Sequence, residues 1–401
     1  MTHTKMSRLY ILVLGAFALG LDAYVMAGLL PKVAADLHTS ESAAGQMVTV
    51  FTLCYALAAP VFATALAGRP ARTILTTALL LFTAANALTA LAGSLAVLLV
   101  ARAIAGIGAG VYSPIAAATA ASLAGEERRG RALALVMGGM SIGTVIGVPL
   151  GVLLADQVGW RGTLWLITAL GALAVVGVLL GLPRLPAAPP PPLRERVRIL
   201  ARRPVAAIAG VSLLSGVASL GLYTYLAPFL ADAGGIHQTL GAMWAWGAGG
   251  VAGSLLIGRI VDRTGKPYAV VTVILVLLCL AHLLLPSAAG ASWALTFPLI
   301  VWGAAGWALQ VPQQHQLIAA RPDQAPVAVS LNSSAVYLGS ALGSALGGVT
   351  LAAGVAPADL PYCTAALAAV GLLLHLVLVR APRRARAPEC LPRETAPAGD
   401  Q

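Results

Sequence analysis

ILVLGAFALGLDAYVMAGLLP, residues 11–31, completes the first long apolar stretch of the chain, Leu9 to Pro31. About 20 apolar residues cross the hydrocarbon core of a bilayer as a helix. The stretch carries one acid, Asp22, the only acidic residue of the chain that falls inside a stretch of this kind. A charged side chain at the bilayer centre costs about 2.5 kcal/mol or more, so it needs a partner, water or a proton. A spanning helix with a carboxylate inside it is therefore the starting point for the rest of the chain.

The composition agrees with a membrane setting. Of 401 residues, 59% are hydrophobic and 10% are charged, against about 25% charged in a soluble domain. The net charge of +11 does not indicate nucleic acid, because the basic residues lie in short loops between apolar runs, where cytoplasmic loops of membrane proteins concentrate them. Lys5 and Arg8 ahead of an apolar run imitate a secretion signal. That run exceeds the roughly 7–15 residues of a signal core and reads as a retained first helix. Cys54, Cys279, Cys363 and Cys390 are scattered, without the spacing of a metal site or a disulfide framework.

Runs of spanning length recur at 9–31, 44–67, 73–93, 95–122, 132–155 and 162–183, then at 205–230, 239–260, 268–288, 291–318, 328–352 and 360–380. The expected fold is an all-α membrane protein of twelve transmembrane helices in two six-helix bundles, 1–183 and 205–380. Between them, 184–204 is a stiff, basic, Pro-rich linker (PRLPAAPPPPLRERVRILARRP from Pro183 to Pro204). The tail 381–401, rich in Pro, Ala and charge, is expected to be disordered. With the N-terminus inside, the positive-inside rule holds for all 25 Lys and Arg except Lys32, Arg161 and the intramembrane Arg102. Both termini are then cytoplasmic.

The halves repeat each other. Gly139, Gly143, Gly147 and Gly151 recur every four residues in the fifth span, and Gly339, Gly343 and Gly347 do so in the eleventh. Each ladder follows a span with a proline, Pro114 or Pro312. Residues four apart share a helix face, so each ladder is a groove without side chains. Such a groove serves close helix packing, or a hinge on which helices rock. The repetition indicates a duplicated, pseudo-symmetric unit, the plan of many secondary transporters.

Asp22 is about 13 Å below the outer end of its helix, and Arg102 about 11 Å below the same face, at 1.5 Å per residue. Matching depth makes an Asp22–Arg102 pair the candidate proton-coupling site. Burial favours the neutral carboxyl and a nearby guanidinium favours the carboxylate, so helix movement would load and unload a proton. The alternatives are a purely structural pair, or an Arg102 that reaches to the interface. Tyr24, Met26, Gln46, Tyr55, Tyr112, Met137, Ser141, Tyr223, Gln310 and Asn332 are the candidate cavity residues, since aromatic and Met side chains adapt to varied apolar solutes. Ordinary packing is the competing role for each. Trp160 and Trp165 read as an interface belt. His315, in the polar cluster QVPQQHQ (310–316), reads as solvated.

Four stretches carry a family resemblance. YVMAGLLPKVAADL (24–37), RAIAGIGAGVYSP (102–114), GTVIGVPLG (143–151) and GWRGTLW (159–165) resemble the major facilitator superfamily. More narrowly, they resemble its bacterial twelve-helix drug:proton antiporters, including the chloramphenicol exporters. Arg102, Gly106 and Gly110 match the fourth-helix motif, and Gly143, Gly147, Pro149 and Gly151 match the antiporter motif. The resemblance implies the major facilitator fold and a cytoplasmic gate at Arg69, Arg72, Gly258, Asp262, Arg263 and Gly265. The family's loop pattern Gly-x-x-x-Asp-Arg-x-Gly-Arg survives as GRIVDRTGK (258–266), while AGRPARTIL (67–75) lacks its aspartate. In several relatives the first-helix acid stands one residue later, where this chain has Ala23.

The expected activity is proton-coupled export of small, largely apolar compounds from a bacterial inner membrane, by a monomer without cofactor or metal. Export or symport of sugars or other metabolites is the alternative. An integral membrane enzyme is disfavoured, with no HExxH, no paired carboxylates and no Ser/His/Asp set at catalytic spacing. No GxxxxGK[ST] stretch is present to bind ATP.

Overall fold

The computed structural model describes residues 3–66, 68–124, 129–183, 198, 200–320 and 325–380. Most of the expected linker and the whole of the tail 381–401 lie outside these residues. Each apolar run falls on helix. The first half comprises α1 (His3–Asp36), α2 (Glu41–Leu66), α3 (Ala71–Ala90), α4 (Leu95–Ala124), α5 (Arg129–Ile142), α6 (Val148–Val158) and α7 (Trp160–Gly181). The second comprises α8 (Arg203–Thr224), α9 (Leu226–Gly234), α10 (Leu240–Thr264), α11 (Pro267–Ala288), α12 (Ser292–Ala308), α13 (Gln310–Ala320), α14 (Ala325–Ala352) and α15 (Leu360–Arg380). Among the described residues, 11 helical spans are long and apolar enough to cross a membrane. The expected span 44–67 falls on α2, whose last side chains are not described.

Three expected spans are not regular helices, and proline accounts for each. Pro149 has no N–H to donate back to Val145, and the preceding turn, Gly143–Gly147, widens into a π-helix between α5 and α6. Pro228 and Pro312 leave the carbonyls of Thr224 and Ala308 without their helical donors. The chain breaks at Tyr225, between α8 and α9, and at Leu309, between α12 and α13. The runs 205–230 and 291–318 are thus each two helices rather than one.

The glycine ladders set the packing. A Cβ on Gly143 would lie 2.2 Å from the Phe17 carbonyl oxygen, and one on Gly139 2.7 Å from that of Val13. The α5–α6 rod therefore lies backbone-to-backbone on α1. In the second half Gly339 and Gly343 press on the carbonyls of Leu213 and Val217, each 2.3 Å from an added Cβ, and seat α14 on α8. A second pair of contacts repeats as well: Gly106 and Gly110 seat α4 on α2, and Gly249 and Gly253 seat α10 on α12. Helices in lipid gain little from apolar burial, so close backbone approach holds them together.

The halves meet chiefly along α2 and α14, with smaller contacts of α1 to α8 and α9 and of α6 to α10. Leu180, Leu255, Trp293, Val349 and Val377 are all exposed on the periphery, as side chains facing lipid are.

Candidate functional site

Arg102 Nη1 donates to Asp22 Oδ1 at 2.8 Å. Both side chains are sealed from solvent, 1% and 0% exposed. The Arg102 guanidinium also lies over the Phe51 ring, 4.2 Å from its centre. Local chemistry fixes this geometry. Gly15 leaves room for Tyr112, whose hydroxyl donates to the Leu12 carbonyl at 3.0 Å and pins α4 to α1. Asp22 Oδ2 and Arg102 Nε make no close hydrogen bond among the described residues, and the Asn86 side chain lies beside the Asp22 carboxylate. Arg102 engages only Oδ1, so a proton on Oδ2 leaves that bond in place.

Between the halves lies a cavity of about 400 Å³. Tyr24, two residues from Asp22, faces it from α1. Met137, Met140, Ser141 and Thr144 face it from the α5 rod, and Ser212, Ser215 and Ser219 from α8. Trp307, Gln310 and Gln314 line it from α12 and α13, and Tyr337 from α14. The Thr144 hydroxyl bonds the Met140 carbonyl at 3.1 Å and sits within 3.3 Å of the Gly20 carbonyl, so the π turn presents its side chain at the wall.

Of the residues singled out from the sequence, Tyr24, Met137, Ser141 and Gln310 line this cavity. The other six lie elsewhere. Met26 is fully buried in the first half. Gln46 sits at the seam between the halves and donates to the Ser42 carbonyl at 3.3 Å. Tyr55 stands behind Tyr337, with ring centres 3.9 Å apart. Tyr112 is spent on the Leu12 bond. Tyr223 packs on Trp246 at 4.3 Å. Asn332 bridges the lining residues without lining the cavity itself: Ser212 donates to its Oδ1 at 2.6 Å and its Nδ2 donates to Gln310 Oε1 at 2.9 Å.

Three tryptophans are missing from that selection, Trp246 and Trp302 behind the wall and Trp307 in it. Trp246 contacts Tyr24, Tyr223, Trp302 and Trp307, and the Trp302 indole donates to Ser219 Oγ at 2.8 Å. The serine row on α8 was legible: offsets of three and four place Ser212, Ser215 and Ser219 on one helix face. The Trp cluster had no such signal, because its members come from α10 and α12 and meet only through the fold.

At the end of the molecule carrying Asp36 the halves are closed on each other. Ser42 donates to the Gly348 carbonyl at 2.6 Å and Ser344 to that of Gly45 at 3.0 Å, while within the second half Tyr225 donates to the Ser344 carbonyl at 2.8 Å. Gly28 takes the end of Met243 from the other half. Lys32 pairs with Asp156, and Arg161 with Asp36, at this same end. Trp160, expected in an interface belt, is buried and within reach of Asp36 at 3.3 Å, while Trp165 is exposed. Burial and the nearby Asp232 carboxylate raise the Glu41 carboxyl above its ordinary range at the start of α2.

The expected gate residues lie at the opposite end. Gly265 ends α10 in the left-handed conformation, φ +60, donating to the Val261 carbonyl. Glycine suits that position because it carries no Cβ. Asp262 and Arg263 are exposed on the last turn of α10, with Gly258 one turn earlier. Neither charge forms an ion pair among the described residues. Arg69 is exposed, and Arg72 donates to the Leu179 carbonyl on α7. His315 is exposed.

Two bundles with a repeated glycine plan, closed at one end over a cavity, define a multi-pass membrane transporter of small molecules. The chain belongs to the major facilitator superfamily, whose family model matches residues 12–344. It is 33% identical over 349 residues to the uncharacterized MFS-type transporter YbcL of Bacillus subtilis (strain 168), covering 85% of this chain and 88% of that one. It is 31% identical over 376 residues to a chloramphenicol resistance protein of Streptomyces lividans, covering 91% and 94%. Its fold is similar to the crystal structure of a bacterial homolog of the human lysosomal transporter Spinster in an inward-facing, unoccupied conformation, with a TM-score of 0.71 at 17% identity over 94% of this chain and 95% of that chain.

Proposed function

We propose that this chain is a proton-coupled exporter of small, largely apolar compounds such as antibiotics, working by alternating access. The observation that carries the reading is the sealed Asp22–Arg102 pair, bonded through one carboxylate oxygen, two residues from the cavity residue Tyr24. Asp22 carries the proton. Arg102 keeps its charge, as arginine does in proteins, and sets how readily Asp22 gives that proton up. Movement of α1 against α4 changes the Arg102–Asp22 separation and with it the balance. The Streptomyces lividans relative supports an antibiotic as cargo.

On this reading 1–183 and 205–380 are the two rocking bundles, joined by 184–204. Both termini are cytoplasmic, and the closed Asp36 end faces out. The glycine ladders are the surfaces on which helices rock within each bundle, the α5–α6 rod on α1 and α14 on α8, and Arg69, Arg72, Asp262 and Arg263 close the inner side in the other state. The working unit is a monomer in a bacterial inner membrane.

The test is a susceptibility panel in an efflux-deficient bacterium, with wild type beside Asp22→Asn, spanning phenicols, dyes, macrolides and sugar analogues. Protection by wild type and none by the variant at equal membrane abundance is expected. Full protection by Asp22→Asn would overturn the coupling role. Transport of the sugar analogues alone would favour metabolite export.

A further inference from the structure

We infer that the cavity between the halves takes uncharged, hydrogen-bonding solutes and rejects organic cations. The inference deepens the proposed function, since it rests on this cavity being the transport site. None of the described residues that line the cavity is charged. Its polar groups are hydroxyls and amides: Ser212, Ser215 and Ser219 along α8, Ser141 and Thr144 opposite, and Gln310 beside them. The nearest intramembrane charges, Asp22 and Arg102, neutralise each other at 2.8 Å and do not reach the wall.

A cation entering such a space loses its hydration and meets no counter-charge, which costs several kcal/mol per ion. Cation–π contacts return about 0.5–2 kcal/mol, and only over an open ring face. Tyr24, Trp307 and Tyr337 each have a neighbour against the ring and offer at most one face, a return too small to offset that loss. Tyr337 has Tyr55 against it at 3.9 Å, and Trp307 lies over Gly250, where an added Cβ would be 2.7 Å from its ring. A neutral solute loses only hydrogen bonds to water. The Ser212, Ser215 and Thr144 protons go to Asn332 Oδ1 and to the Val211 and Met140 carbonyls, so these oxygens accept from a solute's donors. Ser219, which accepts from Trp302, has a proton to give a solute's acceptor.

Gln310 offers a way to change this preference without disturbing its partners. Its Oε1 accepts from Asn332 Nδ2 at 2.9 Å, and a glutamate oxygen accepts the same bond. Equilibrium binding is measured on the purified full chain in detergent, with chloramphenicol and p-nitrophenyl glucoside as neutral probes and tetraphenylphosphonium as the cation. Wild type is expected to bind at least one neutral probe saturably and the cation at least tenfold more weakly. Gln310→Glu is expected to narrow or reverse that ratio by tenfold. Equal binding of the cation by wild type, or no binding of either neutral probe, would overturn the inference. A separate flux assay in proteoliposomes under a pH gradient tests the coupling. Selective binding without gradient-driven flux strikes the proton-coupled reading and leaves the cavity's preference standing.

Discussion

Arg102 and Asp22, 80 residues apart, are joined by a 2.8 Å hydrogen bond inside the first bundle, with the guanidinium resting on Phe51. Arg102→Ala removes the partner of a buried carboxylate, a change that costs about 3–5 kcal/mol while that carboxylate stays charged. Asp22 then holds its proton, and pH-gradient-driven efflux is expected to stop. Arg102→Lys keeps the charge and loses the planar fork, so partial efflux is expected. Proteoliposome flux of both variants decides the matter: wild-type rates in both would make the pair purely structural.

The ladder glycines differ from their neighbours in what surrounds them. Gly343→Val pushes side-chain atoms onto the Val217 carbonyl, 2.3 Å from an added Cβ. Backbone cannot yield cheaply, and overpacking of this kind costs about 1–3 kcal/mol. A lower unfolding temperature in detergent is expected. Gly138 has open space on that side, so Gly138→Ala is expected to be neutral or to stabilise α5 by up to about 1 kcal/mol. Equal effects of the two substitutions would contradict the packing role of the ladder.

Closure at the Asp36 end is testable by cross-linking. Ser42 Oγ lies 2.6 Å from the Gly348 carbonyl oxygen across the seam. In a chain whose four native cysteines are replaced, Ser42→Cys with Gly348→Cys is expected to form a disulfide on oxidation. Transport is expected to stop with the bond and return on reduction. Continued transport with the bond formed would mean that this end need not open.

Glu41 gives the closed end a pH dependence. Burial and Asp232 hold its carboxyl above the ordinary value of 4.5. A raised carboxyl contributes stability that is full below the unfolded-state value and is lost as pH rises through the folded-state value. Glu41→Gln removes the charge and with it this loss. The variant is expected to be slightly more stable than wild type at pH 7, to match it near pH 4, and to show a flatter profile. A thermal unfolding series from pH 4 to 7 measures this, and parallel profiles would refute it.

Much of the site was readable before folding because the membrane makes charge conspicuous. Asp22 and Arg102 stand out at equal depth in apolar runs, and depth along a helix follows from residue count alone. The direction a side chain faces around the helix does not follow in the same way. Six of the ten residues chosen for the cavity turned to packing, to the seam between halves, or to a neighbour's hydrogen bond. In lipid both faces of a helix are apolar, so hydropathy does not separate the inner face from the outer one.

By itself the sequence determined the helical spans, the duplication and the intramembrane charges, because crossing a bilayer imposes length, composition and internal backbone bonding on each segment separately. Its glycine ladders also marked where helices touch, whereas proline alone did not mark the breaks, since Pro31, Pro114, Pro286 and Pro298 lie inside helices. Only the tertiary structure decided that Trp246 and Trp302 gather behind the cavity against its lining residue Trp307, that Tyr55 backs Tyr337, and that Ser42 meets Gly348 to close one end. These contacts join segments up to 306 residues apart, and they depend on how helices rotate and dock, which no single segment encodes.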